Sequence, residues 1–226
     1  MSAETRLWHL KNFNLLESLS QEEKMKMAEM IRDQSIKKGE YIYFPEESSK
    51  NIYFLKEGRV KIGSYSDDGK EIIKAILQPG EIFGELSLVG EEKRSDFAQA
   101  MDNNVIICSM QMQDMEMMMQ QNASLNFKVT KLIGFRLRKV ERRLESLIFK
   151  DARTRIIDFI KDMAKEQGKK IGDEILVKHF LTHQDIANLT ATSRQTVTTV
   201  LNDLKDNDLI YMERNKFLIR DINKLE

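Results

Sequence analysis

Between Leu181 and Leu201 the side chains that can do chemistry are hydroxyls, amides and one guanidinium, set at helix-start spacing. Thr182 followed three residues later by Asp185 reads as an N-cap, with the acidic group placed where a helix N-terminus favours it. Ser193 reads as the cap of a second helix. Arg194, in the first turn, carries a fork that fits guanine O6 and N7, and Gln195 carries an amide that fits adenine N6 and N7. Thr198 and Thr199 lie on the same side and reach a phosphate or a thymine methyl. Thr182, Ser193 and Thr196 offer hydroxyls beside helix N-termini, suited to phosphate oxygens. His183 and Gln184 complete the expected DNA-facing set, with His183 touching phosphate. This is base-reading chemistry rather than catalysis.

The elements that must position these groups are legible on both sides. Ile186, Ala187 and Leu189 supply the buried face of a first short helix; Val197, Val200 and Leu201 supply that of the second. Two short helices joined by a tight turn make a helix-turn-helix. Residues 211–219 follow as a hairpin turning at Arg214-Asn215, the winged form of the motif. Upstream, a helix is expected from Thr154 to about Gln167, ended by Gly168. Before that, Val129, Ile133, Leu137, Val140, Leu144 and Leu147 recur at spacings of three and four, between Leu125 and Phe149. A narrow apolar stripe with Arg136, Arg138, Lys139, Glu141, Arg142, Arg143 and Glu145 on its flanks predicts a helix that dimerises along this seam, the alternative being a helix packed on its own β-domain.

Residues 36–112 change texture. Short apolar runs at 41–44, 52–55, 60–62, 72–76 and 105–107 alternate with Lys38-Gly39, Glu57-Gly58, Asp67-Asp68-Gly69 and Pro79-Gly80. That spacing predicts a small β-sandwich or barrel. Residues 1 to about 30 read as helical, with Ser20 and Glu23 forming a capping box. The methionine-rich run from Met110 to Met119 is expected to pack as a short helix against the β-region, because methionine fills irregular gaps.

Composition narrows the function classes. The 226 residues carry 36 basic and 36 acidic side chains, 41% hydrophobic and 32% charged residues, and a formal charge of zero. The balance conceals an asymmetry: 17 basic and 21 acidic groups in residues 1–135, net −4, and 19 and 15 in residues 136–226, net +4. Such an asymmetry hints at two domains with different partners. One cysteine, Cys108, excludes an intramolecular disulfide and a multi-cysteine metal site; within an apolar strand it reads as a buried hydrophobe. His9 alone gives no support to haem binding. No run approaches the ~20 apolar residues of a membrane helix, and the first residues lack a secretory signal. The chain is expected to be cytoplasmic, without a membrane partner. No paired carboxylates, metal cluster or nucleophile–base pair points to an enzyme.

Several short words then resemble a known family in order along the chain: residues 55–60 (Leu55, Gly58, Val60), residues 77–86 (Pro79, Gly80, Phe83, Gly84, Glu85, Leu86), Arg94-Ser95, Gln184 to Ala187 and Ser193 to Val197. The chain resembles the bacterial cyclic-AMP receptor protein / fumarate–nitrate regulator family of transcription regulators. The resemblance implies an α+β fold: an N-terminal antiparallel β-roll (a jelly roll like that of cyclic-nucleotide-binding domains), a long dimerisation helix and a C-terminal winged helix-turn-helix. The corresponding boundaries are residues 1–123 for the sensor with flanking helices, 124–150 for the helix and 151–226 for the DNA-binding domain. It implies a homodimer on a near-palindromic double-stranded DNA site. It also implies contacts with RNA polymerase through residues 66–71 or 168–173.

By the same resemblance, Glu85 would accept from a ribose hydroxyl while Arg94 and Ser95 hold a cyclic phosphate, with amides near Gly84, Leu86 and Ser87 adding donors. Asp96 would bring a negative charge close to that phosphate. Val140 and Glu141 align with the positions that would face the base; Glu141 can accept from an amine, whereas Val140 cannot hydrogen-bond. A cyclic nucleotide, another small effector or no ligand at all are the three expectations for the roll. Gln195 and Thr199 replace a glutamate and an arginine of the cyclic-AMP receptor, which predicts a different half-site.

Overall fold

The computed structural model describes residues 13–179, 181–213 and 215–225. The chain divides into two compact units, one ending at Arg138 and the other running from Lys139. The first 12 residues of the expected N-terminal helix, including His9, lie outside the described residues. A short 3-10 turn at Asn14–Leu16 precedes helix α1 (Gln21–Met30). Ser20 and Glu23 form the capping box at its start: Ser20 Oγ accepts from the Glu23 amide at 3.2 Å, and the Glu23 carboxylate accepts from the Ser20 amide at 2.7 Å. The helix is therefore shorter than the expected stretch, since residues 17–20 turn before it.

Eight strands follow: β1 (Arg32–Ile36), β2 (Tyr41–Tyr43), β3 (Asn51–Glu57), β4 (Val60–Tyr65), β5 (Glu71–Leu77), β6 (Ile82–Phe83), β7 (Phe97–Ala100) and β8 (Val105–Gln111). They form two four-stranded antiparallel sheets, ordered β1-β8-β3-β6 and β2-β7-β4-β5. Leu55, Val60, Leu77, Phe83, Ala98 and Ile107 pack among the buried residues of the roll. Four of the five expected strand runs fall within β3, β4, β5 and β8, and the fifth forms β2 with Phe44 just beyond its end. Strands β1, β6 and β7 are additions. Strand β1 has only Ile36 as an apolar residue, so pairing with apolar β8, Arg32 opposite Ser109 through Ile36 opposite Val105, rather than its own alternation, makes it a strand.

Beyond β8 lie α2 (Met112–Gln121) and α3 (Ala123–Phe149). The methionine segment is the expected short helix: Met115 and Met118 are buried with Met110, Phe13, Leu16, Ile52 and Val129, while Met117 faces out. Cys108 is buried in the same cluster. Burial, reinforced by a thiol hydrogen bond to Asp33, pushes its pKa up to about 12, so the thiolate a redox switch requires is scarce.

The second unit contains α4 (Ala152–Gln167), β9 (Lys169–Ile171), β10 (Glu174–Lys178), α5 (His183–Thr190), α6 (Arg194–Asp206), β11 (Ile210–Glu213) and β12 (Lys216–Ile219). Its sheet runs β11-β12-β10-β9, so the expected wing hairpin is continued by a second hairpin that the sequence pattern did not reveal. Arg214, in the wing turn, lies outside the described residues. Ile156, Ile160, Val177, Ile186, Leu201, Leu204 and Phe217 share one core, which fixes α5 and α6 on α4 and the sheet. Among the described residues, no helix is long and apolar enough to cross a membrane.

Candidate DNA interface and sensor site

The two helix starts are built as their side chains demand. Thr182 Oγ1 accepts from the Asp185 amide at 3.1 Å, and the Asp185 carboxylate accepts from the Thr182 amide at 2.8 Å. Ser193 Oγ accepts from the Thr196 amide at 3.0 Å and lies 2.8 Å from Thr196 Oγ1. Removing either cap leaves an orphaned amide. Thr182→Ala or Ser193→Ala should each lower unfolding free energy by about 1 kcal/mol in denaturant titration.

Helix α6 buries Val197, Val200, Leu201 and Leu204. Its opposite side presents Arg194, Gln195 and Thr199 exposed, with Thr198 half-buried. The Thr198 and Thr199 hydroxyls donate to the carbonyls of Arg194 and Gln195, at 3.0 and 3.1 Å. Thr198 Oγ1 also lies 2.9 Å from His183 Nδ1, a hydrogen bond that ties the start of α5 to α6. Gln184 Nε2 donates to Asn188 Oδ1 at 2.8 Å, so this amide is held within α5. The nine expected DNA-facing residues thus gather around the starts of α5 and α6. Arg194 and Gln195 are the long polar side chains among them that project from α6.

Two arginines absent from that expectation fix the motif. Arg143, on the last turns of α3, donates to the carbonyls of Asn188 and Leu189 at 3.3 and 2.7 Å. Arg155, in the first turn of α4, donates to the carbonyls of Thr190, Ala191 and Lys150 at 2.9, 3.1 and 2.8 Å. Together they satisfy four successive carbonyls at the C-terminal end of α5, where an α-helix has no N–H donors of its own to offer them and where positive charge is favoured. Burial lowers the Arg143 pKa, yet guanidinium basicity keeps it charged. The clamp also pins Ala191, whose φ of +50° is a left-handed conformation that a side chain resists. Arg155→Ala should lower the stability of this unit by about 2–3 kcal/mol, as charge-assisted bonds are lost around a strained turn. Thermal unfolding is the check, and a loss under 0.5 kcal/mol would remove the clamp's role. A sequence signal existed: a basic residue in the first turn of α4 opposes the helix dipole, so it needed a partner elsewhere.

In the first unit, Gly84, Glu85 and Ser87 are buried and Leu86 is exposed. Glu85 opens a 3-10 turn (Glu85–Val89), and Ser87 Oγ donates back to the Gly84 carbonyl at 2.8 Å. Gly84 adopts φ +75°, and a Cβ there would stand 2.9 Å from the Asn51 carbonyl oxygen and 3.0 Å from Arg94 Nη1, so only glycine permits this approach. Arg94 is 2% exposed. Its guanidinium donates to the carbonyls of Gly84 and Asn51 and lies 4.5 Å from the Tyr43 ring centroid. Glu85 is ion-paired with Arg136 of α3, not with Arg94, and Arg136 also donates to the Ile82 carbonyl. Asp96 accepts from Tyr43 Oη and Lys74 Nζ, both at 3.2 Å. Burial raises the Asp96 pKa against the opposing pull of Lys74. Burial and the neighbouring Asp96 carboxylate raise that of the Tyr43 phenol.

These partners decide how well a cyclic nucleotide fits. The guanidinium meant for phosphate holds two carbonyls and faces the Glu91 carboxylate, the carboxylate meant for a ribose hydroxyl is paired with Arg136, and Ser95 bonds to Glu91. As arranged, the residues do not fit that ligand. Val140 and Glu141 are exposed on the part of α3 belonging to the second unit.

The α3 seam divides along its length. Val129, expected at the dimer interface, is 1% exposed within its own unit, where the packing of Phe13, Leu16 and Leu125 covers it; this corrects the expectation. Ile133 is partly buried on the same cluster. Leu137, Val140, Leu144 and Leu147 are 58, 64, 57 and 42% exposed, an apolar stripe that the described residues leave largely uncovered.

Two family models match the chain, one within each unit. The family model described as cyclic nucleotide-binding domain matches residues 33–122, and the one described as Crp-like helix-turn-helix domain matches residues 154–226. A global nitrogen regulator of Nostoc sp. is 27% identical over 187 residues, covering 82% of this chain and 84% of its own. A CRP-like cAMP-activated global transcriptional regulator of Mycobacterium tuberculosis is 27% identical over 199 residues, 88% of each chain. Among solved structures, a mutant of CooA from Carboxydothermus hydrogenoformans superposes with a TM-score of 0.81 at 29% identity, covering 94% of both chains.

Proposed function

Because the chain belongs to the cyclic-AMP receptor protein / fumarate–nitrate regulator family of DNA-binding transcription regulators, we propose that it acts as a homodimer paired along Leu137, Val140, Leu144 and Leu147, setting two α6 helices into successive major grooves of a near-palindromic site. The observation that carries this reading is the α6 surface. Its apolar side is buried, and Arg194, Gln195 and Thr199 project from the other. In such a dimer the two helices meet half-sites about 34 Å apart, one turn of DNA.

Arg194 reads guanine and Gln195 adenine, while Thr182, His183, Ser193 and Thr196 lie at the capped helix starts, where phosphate oxygens accept hydrogen bonds. Gln184, held by Asn188, supports α5 rather than reaching bases. The modest net charge of +4 in residues 136–226 supplies limited nonspecific attraction, so discrimination rests on base contacts. The roll receives the signal, which acts by favouring one arrangement of the two reading helices over another. RNA polymerase would touch a bound dimer at residues 66–71, an exposed turn leading into β5, or at residues 168–173, where strand β9 and its turn stand in place of the expected loop. Selection from random DNA, followed by footprinting, tests the reading. The expected product is a two-fold-related pair of guanine-containing half-sites one helical turn apart; an unpaired or asymmetric consensus would sink it.

A further inference from the structure

Directly after the 3-10 turn of the roll, Glu91 occupies a receptor made for an oxyanion. Its Oε1 accepts from the Ser95 amide at 3.2 Å and from Ser95 Oγ at 2.9 Å. Its Oε2 accepts from Ser49 Oγ at 3.0 Å and lies 3.5 Å from Arg94 Nη1. One amide, two hydroxyls and a guanidinium therefore converge on one carboxylate, a donor set that binds phosphate oxygens as readily as carboxylate oxygens. The Glu91 side chain is 14% exposed and that of Arg94 2%, which separates this arrangement from a surface ion pair.

The receptor is held by backbone rather than by the anion alone. The Glu46 amide donates to the Arg94 carbonyl at 2.9 Å, the Arg94 amide to the Glu47 carbonyl at 2.8 Å, and the Ser49 amide to the Glu92 carbonyl at 2.8 Å. Those three bonds set Ser49 and Ser95 on either side of the carboxylate. Arg94 is fixed independently by the Gly84 and Asn51 carbonyls. The donors would remain in place if the carboxylate were removed.

We propose that Glu91 is a tethered occupant of this oxyanion receptor, so that the roll carries its own anion and does not take a cyclic nucleotide. A group on the same short segment competes at an effective concentration of millimolar or higher. A free phosphodiester entering beside it would also place two negative charges within a few ångströms in a partly desolvated site, which is strongly unfavourable. The charges nearest the receptor already have partners in the same unit: Glu91 with Arg94, Glu85 with Arg136, Asp96 with Lys74. The signal that reaches this sensor therefore acts elsewhere than on the Arg94–Ser95 donors.

The test uses the full chain and two probes, inorganic phosphate and cyclic AMP, at constant ionic strength. Wild type should show no calorimetric heat with cyclic AMP and no saturable change in Tm with phosphate. Glu91→Ala should melt lower and recover as phosphate is added, by roughly 3–6 °C at tenfold excess over Kd; adding Ser95→Ala should abolish the recovery. Should Glu91→Ala fail to fold, Glu91→Ser vacates the receptor while keeping a polar side chain, and phosphate should stabilise it more than it does wild type. The proposal is overturned by saturable binding of cyclic AMP or phosphate to wild type. It is equally overturned by equal phosphate stabilisation of wild type and variants, or by no saturable effect on a folded variant. The outcome is separable from the DNA-binding reading, which the selection experiment decides on its own.

Discussion

Leu144→Glu should convert the protein from a dimer to a monomer and reduce binding to its selected site by at least about 100-fold. Leu144 is 57% exposed at the middle of the stripe formed with Leu137, Val140 and Leu147. In a two-fold pair of helices this residue meets the same stripe of the partner, so one substitution places two carboxylates inside a single apolar seam. Each must be buried without a partner or hold the helices apart. Dimer formation makes the second half-site encounter intramolecular, and linkage of that kind contributes roughly 10²–10⁴ in apparent affinity. Sedimentation equilibrium reads the mass, and titration of the full site reads the affinity. A variant that remains dimeric at micromolar concentration would exclude this seam as the interface.

The second large effect is expected at Arg194. Arg194→Ala should cost about 1–3 kcal/mol at each half-site, roughly 5–150-fold, and should flatten the preference for guanine at the matching position. The residue lies in the first turn of α6, is exposed, and has no ion-pair partner among the described residues. Its removal therefore leaves the folded unit intact and deletes a contact rather than a support. Random-sequence DNA should lose far less affinity, since phosphates are reached from several other groups. Equal losses on specific and random DNA would reassign Arg194 to a phosphate contact. Arg155→Ala provides the contrast: it acts through the position of the whole motif, so its effect on DNA should be accompanied by loss of stability.

Much of the reader was legible because its determinants are local. Capping by Thr182 and Ser193 involves residues three apart, and the buried side of α6 follows the helical period. The wing's second hairpin, β9–β10, was missed because Lys169 and Lys170 make the first strand look like a solvated turn. The strands β2 to β5 and β8 announced themselves by apolar runs, while β1, whose one apolar residue is Ile36, took its conformation from β8 across 69 residues or more of sequence. Val129 fits the dimer period as well as Leu144 does. Only the packing of Phe13 and Leu125 shows that its own chain has already covered it.

The same distinction holds at the two sites. By itself the sequence determined the chemical inventory and everything set by near neighbours: a capped helix-turn-helix with Arg194 and Gln195 at the start of its second helix, an apolar seam at spacings of three and four, and a β-region that carries Glu85, Arg94 and Ser95. The zero net charge was already divisible into an acidic half and a basic half. Tertiary structure alone decided which charges are spent. Arg143 and Arg155 could have been solvent-facing cations, and they clamp the end of α5 because that helix's free carbonyls fall within their reach. Glu85 and Arg94 look like a matched pair on paper, yet they turn to Arg136 and to backbone carbonyls. The physical reason is that a buried charge takes whichever partner the fold brings within a few ångströms, and that distance is set by chain segments far apart in sequence.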